Sequence, residues 1–194
     1  DVLPNHRVLA WEPGSIRLTL ENGATKTLEA KRPKSIALEN KWSLSFPPGW
    51  GVPASVQLDR LTSWTNLDLP VEARAFSGTA TYNTEFTTEV LPASARAELD
   101  LGRVEVIARV WVNGDPAGVL WTPPYRLDIT HLVKPGANRL TVEVISTWFN
   151  RLVYDAGLEG KARKTWTISG PAKDRTLVPS GLLGPVTLRI GEML

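Results

Sequence analysis

The sequence predicts an all-β protein, an antiparallel β-sandwich, and three observations predict it. Short runs that alternate apolar with polar residues recur along the chain, as in Arg109–Val112 and Arg139–Val144, and a period of two marks half-buried strands. Turn signals separate the runs. Asn22-Gly23 and Asn113-Gly114 suit tight hairpins, because both residues accept positive φ, and Pro135-Gly136 stops one segment before the next strand. Finally, hardly any helical period intervenes, and no phosphate loop, metal motif or nucleophile elbow interrupts the pattern.

Taken in order, Val8–Trp11, Ser15–Leu20 and Ala24–Ala30 read as short strands joined by turns at Pro13-Gly14 and Asn22-Gly23. Arg32-Pro33-Lys34 reads as a linker. Residues 1–34 are therefore expected to be an N-terminal β-hairpin extension, packed on the main domain or poorly tied to it, with 35–194 forming the sandwich. Ile36–Phe46 is strand-like, and Pro47–Pro53 is a loop rich in proline and glycine that carries Trp50. Ser55–Leu58 reads as a short strand and Leu61–Asn66 as a helical turn bearing Trp64. Thr79–Thr87, Ala95–Asp100, Val104–Val112, Arg139–Ile145 and Val186–Ile190 are the principal strands, with Val119–Trp121 and Arg126–Ile129 shorter. Asp128 or Thr130 is placed to cap a turn over His131–Lys134. Leu152–Pro179 has little period, and reads as a long excursion with one strand over Lys164–Ile168. Leu182-Leu183 reads as a loop packed beneath the final strand.

At 194 residues the chain can bury about 70% of its unfolded surface, so the fold needs no staple. It contains no cysteine, which excludes disulfides, thiolate metal sites and cysteine nucleophiles together and leaves the compartment open. No apolar run reaches the length of a membrane span, no signal peptide begins the chain, and its start at Asp1 is that of an excised fragment or mature product. Charge is nearly balanced, 22 Lys+Arg against 20 Asp+Glu, and the basic residues are scattered, so neither a nucleic acid nor a membrane is expected as partner.

Several segments carry a family resemblance: FPPGWG (Phe46–Gly51), LTSW (Leu61–Trp64), FSGTATY (Phe76–Tyr82), LDLG (Leu99–Gly102), TWFNRLVYD (Thr147–Asp155) and SGLLGP (Ser180–Pro185). With the run from VNG at Val112 to the alternation after Pro135-Gly136, they resemble the galactose-binding-like, jelly-roll domains of glycoside hydrolases. Their order is similar to the C-terminal region of bacterial α-L-rhamnosidases. The resemblance implies a non-catalytic accessory domain that recognises carbohydrate, or one that only buttresses a catalytic barrel. It implies a secreted or periplasmic setting, a carbohydrate ligand and the parent enzyme's catalytic domain as partners, and no cofactor beyond a structural calcium.

The residues themselves offer little catalysis. Only His6 and His131 are present, no serine sits in a Gly-x-Ser-x-Gly elbow, and no pair among the acids stands out for glycoside cleavage. Asp100, Asp128, Asp155 and Asn150 are the candidate calcium donors. Sugar recognition wants an aromatic platform beside a few polar groups. The densest such group is Trp148, Asn150, Arg151 and Asp155 with Phe149 and Tyr154, and Trp121, Tyr125 and Arg126 on the proline bend are the candidate neighbours. The competing reading packs Trp148 and Phe149 under the excursion and pairs Arg151 with Asp155 as a structural clamp. Of the eight tryptophans, Trp11, Trp42 and Trp111 fall in strand patterns and are expected in the core. Trp50 and Trp64 fall on irregular segments and are expected at an interface, and Trp166 is open between the two.

Overall fold

The computed structural model describes residues 1–3, 7–39 and 41–194, so His6 lies outside the described residues. The first strands are β1 (Leu9–Ala10), then β2 (Gly14–Thr19) and β3 (Thr25–Ala30), which among the described residues pair only with each other around the Asn22-Gly23 turn. β4 (Lys34–Ala37), β5 (Trp42–Ser45) and β6 (Ser55–Leu58) follow. A 3-10 turn at Trp64–Asn66 and a one-turn helix α1 (Val71–Arg74) precede β7 (Thr79–Thr88) and β8 (Ala95–Asp100). Then come β9 (Arg103–Glu105), β10 (Ile107–Val112), β11 (Asp115–Leu120), β12 (Arg126–Asp128) and β13 (Gly136–Ile145). Helix α2 (Phe149–Ala156) leads through the excursion to β14 (Gly181–Gly184) and β15 (Thr187–Met193).

Among the described residues these strands form two facing antiparallel sheets and two isolated pairs. One sheet has the order β1-β15-β8-β12, with β4 also on β15; the other has the order β11-β10-β13-β7-β5-β6. The all-β sandwich expected from the alternation is the fold. Strand β7 shows why: Ala80, Tyr82, Thr84 and Phe86 point inward while their neighbours face outward. Across the gap, Ala97, Leu99 and Leu188 meet Leu44, Val110, Leu140, Val142 and Val144, all buried in one core. Each fully buried aliphatic side chain there contributes about 1.5–3 kcal/mol. The Asn113-Gly114 turn has φ of 56° and 93°, as the β10–β11 hairpin requires.

Several expectations need correcting. Ile36–Phe46 is two strands in different sheets, β4 and β5, and Val104–Val112 is likewise divided between β9 and β10. Phe149–Ala156 is helical, whereas Lys164–Ile168 is not a strand. Leu182-Leu183 lies within β14, paired to β9. Trp64 is fully buried rather than at an interface, while Trp11 and Trp111 are only half-buried, Trp111 on the outer face of its sheet.

Candidate functional site

The register of the six-stranded sheet gathers the irregular segments at one end. β13 ends at Ile145, opposite the starts of both β7 (Thr79) and β10 (Ile107), and β11 ends at Leu120 opposite Ala108. The β5–β6 loop turns there too, since Ser45 pairs with both Thr81 and Ser55. The Trp50 loop, the Trp64 turn, α1, α2 and the excursion therefore cap a single end of the sandwich.

Aromatic rings tie this cap to the core. Trp42 meets Tyr82 edge-on at 6.4 Å, Phe46 contacts Trp64 at 5.9 Å and Phe76 at 5.1 Å, and Trp50 bridges Phe76 (6.3 Å) to Trp148 (5.6 Å). Trp64 Nε1 donates to the Tyr82 hydroxyl at 2.6 Å, and the Leu182 amide donates to the same oxygen at 3.0 Å. Burial pushes the Tyr82 phenol well above its ordinary range, so it stays neutral. Gly181 makes this crossing possible. A Cβ there would lie 2.5 Å from both Trp64 Nε1 and the Tyr82 oxygen, and its φ is 99°.

Helix α2 carries the charged heart of the cap. Its buried side is made of Asn150, Arg151, Val153 and Asp155. Arg151 Nη2 lies 2.8 Å from Asp155 Oδ1, one turn along the helix, and Nη1 lies 3.3 Å from Glu72 Oε1 on α1. The guanidinium also faces the rings of Tyr154 and Trp50, 5.0 and 5.5 Å from their centres. Lys164 closes the cluster, donating to Glu72 Oε1 at 3.1 Å and to the Gly49 carbonyl at 2.6 Å. Asp155 Oδ2 accepts from the amides of Lys164 and Thr165 and from the Thr165 hydroxyl at 2.6–3.0 Å. Asn150 fastens the far end of the excursion, its Nδ2 donating to Val178 O and Ser180 Oγ and its Oδ1 accepting from Val178 N.

These contacts fix the charges. The Lys164 hydrogen bond, with Arg151 beside it, holds the Glu72 carboxyl below the usual carboxylate range. Burial pushes Asp155 up, but the Arg151 and Thr165 partners outweigh it and the net shift is downward.

The six sequence candidates divide accordingly. Asn150, Arg151 and Asp155 are brought together but buried, with their polar atoms turned to the contacts that hold the cap. Tyr125 is also buried, and its hydroxyl donates to Val106 O at 2.8 Å; it is a structural anchor and offers no stacking face. Trp148, 48% exposed, and Trp121, 72% exposed, are the candidates that reach solvent. The four candidate calcium donors do not converge. Asp100 accepts from Gly102 N and Arg126, Asp128 caps Thr130, and Asp155 and Asn150 hold the excursion. Glu72 and Lys164 were not candidates. The Pro-Val-Glu-Ala-Arg start of α1 was their nearest local signal, and their meeting, 92 residues apart in sequence, is tertiary.

A family model, the glycosyl hydrolase 2 galactose-binding domain-like family, matches residues 65–172, which include α1, α2 and strands β7, β10, β11 and β13 of the six-stranded sheet. The chain belongs to that family. A protein of Formosa agariphila named as a β-glucuronidase is 35% identical over a 205-position alignment, covering 92% of this chain. The rhamnosidase of Novosphingobium sp. PP1Y has a solved structure that is 38% identical, covers 85% of this chain and superposes with a TM-score of 0.75. A β-glucuronidase from Ruminococcus gnavus, 18% identical, shares the fold at a TM-score of 0.61 over 85% of this chain. The galactose-binding-like family expected from the sequence is therefore the family found. The chain spans 18% of the Formosa protein and 16% of the rhamnosidase.

Proposed function

We propose that this chain is a non-catalytic accessory domain of a glycosidase acting on rhamnosides or glucuronides, and that it docks onto its catalytic part through the α2 end. One observation carries the reading. At that end the polar candidates are turned inward while large apolar side chains are turned outward: Trp148 and Val178, with Trp166 at 74% and Ile168 at 91% exposure. Large apolar side chains exposed on one end of a domain suit a protein-facing surface. Arg151, Asp155 and Glu72 hold the segments that present them, so the clamp reading of Arg151 and Asp155 is the one adopted. The β2–β3 ribbon, largely exposed and standing apart from both sheets, is read as a second junction with the parent polypeptide, whereas β1 and Lys34 belong to the sandwich through β15.

A second reading, sugar stacking on Trp148, is supported by that ring's partial exposure beside Trp50. Two measurements separate the readings. The isolated chain is expected to release no chromophore from aryl rhamnosides or aryl glucuronides, and turnover would overturn the accessory role. An apolar dye is expected to bind the isolated chain and to lose much of that binding in a Trp166→Ser, Ile168→Ser double variant. Dye binding unchanged by that variant, together with sugar affinity abolished in Trp148→Ala, would replace docking by glycan stacking at the cap.

A further inference from the structure

The outer face of the six-stranded sheet holds an ordered row of side chains that the cap does not use. Trp111 on β10 pairs in register with Thr141 on β13, Thr141 with Asn83 on β7, Asn83 with Ser43 on β5, and Ser43 with Gln57 on β6. All five point away from the core, because their strand neighbours, Val110, Val112, Leu140, Val142, Tyr82, Leu44 and Leu58 among them, point into it. The row runs straight across five strands, about 19 Å at ~4.8 Å per strand spacing. It has an indole at one end and only neutral hydroxyl and amide groups along the rest.

A face made only for solvent is ordinarily rich in long charged side chains. Here the charges are confined to the flanking rows. Arg109 and Glu143 pair at 3.5 Å on one side, and Arg139 and Glu85 stand in register on the other, next to Lys41. On the Arg139–Glu85 side of the row lies a shallow, open depression of about 370 Å³ lined by Lys41, Ser43, Gln57, Asn83, Thr84, Glu85 and Arg139. Asn83 uses its Oδ1 for the Thr141 hydroxyl at 2.7 Å, which orients the amide and leaves its N–H groups to donate outward. Serine, threonine and asparagine lose little rotamer freedom on contact, so the Ser43, Asn83 and Thr141 part of the row is ordered at small entropic cost.

We infer that this row is a binding face for a linear oligosaccharide laid across the strands, with the Ser43, Gln57, Asn83 and Thr141 groups hydrogen-bonding successive sugar hydroxyls and Trp111 bounding one end. A chain of pyranose or furanose units presents hydroxyls at regular intervals along its edges and apolar C–H faces between them, which suit the polar row and the Trp111 indole at its end. The site lies on the sheet face, not at the α2 end, so it stands or falls apart from the docking surface.

The test is calorimetric titration of the chain with xylohexaose, cellohexaose, arabinohexaose and oligogalacturonate as probes. Saturable binding is expected with at least one of them. Asn83→Ala and Gln57→Ala should each weaken it by about tenfold, the effect of losing about 1.4 kcal/mol of contact, with melting temperatures unchanged because both side chains are solvent-facing. Trp148→Ala should leave the affinity as it was. Absence of binding to all four probes would overturn the assignment, as would affinity that survives both sheet substitutions and disappears in Trp148→Ala.

Discussion

The capped end and the outer sheet face of the same sandwich handle polar groups in opposite ways. At the cap, Arg151, Asp155 and Asn150 are sealed inside while tryptophans look outward. Along the central row of the sheet face the polar side chains are neutral and outward, with charged residues on the flanking rows, and the aliphatic residues are sealed inside. Burying a guanidinium is costly unless it is paired, so the cap cluster is committed to holding α1, α2 and the excursion together. The polar side chains of the central row on the sheet face are not buried in that way. The contrast teaches that polar residues grouped in sequence can be scaffold, while a dispersed set aligned only by register can be the recognition surface.

The comparison breaks most sharply at Arg151. Arg151→Ala leaves Asp155 buried without its cation, and a loss of about 3–5 kcal/mol is expected in chemical denaturation; a loss below 1 kcal/mol would mean that the cluster does not hold the cap. Acid probes the same cluster more gently. Glu72 and Asp155 have folded pKa values depressed below those of the unfolded chain, near 4. Their contribution is therefore complete above that range and is lost as the pH falls through the depressed values. Denaturation midpoints measured from neutrality downward should decline with a steepness that Arg151→Ala reduces; an equal decline in both proteins would refute the linkage.

Smaller effects sharpen the contrast. Gly181→Ala forces a methyl group against Trp64 and Tyr82, and about 1–3 kcal/mol of overpacking cost is expected, read as a lowered melting temperature. Trp148→Ala should cost roughly 1 kcal/mol, well under the ~3–5 of a buried aromatic truncation, because nearly half of the ring is already in water. A loss as large as that of Arg151→Ala would make the ring part of the core instead. Least of all, Gln57→Ala on the sheet face should stay within about 0.5 kcal/mol of the parent.

Legibility followed the physics of each region. Strands β6 and β8 coincide with the sequence expectation because alternation is local and the core reads it directly. Helix α2 escaped that reading because its buried side is Asn, Arg and Asp, which pattern analysis takes for a solvent face. One cue was present, the Arg151–Asp155 spacing of four followed by Gly157 just past the helix end. Trp64 escaped because an irregular segment is ordinarily at the surface, and only the Tyr82 hydroxyl, supplied by another strand, lets its N–H be buried.

By itself, then, the sequence determined the sandwich, its principal hairpins and the family resemblance, because hydrophobic period and turn chemistry act over a few neighbouring residues. The tertiary structure alone decided which polar residues are inside and which chemistry is aligned on a face. Glu72 meets Lys164, and Trp111 lines up with Gln57, across separations that no local pattern encodes. Charge pairing and strand register, which exist only once the sheets have formed, set both.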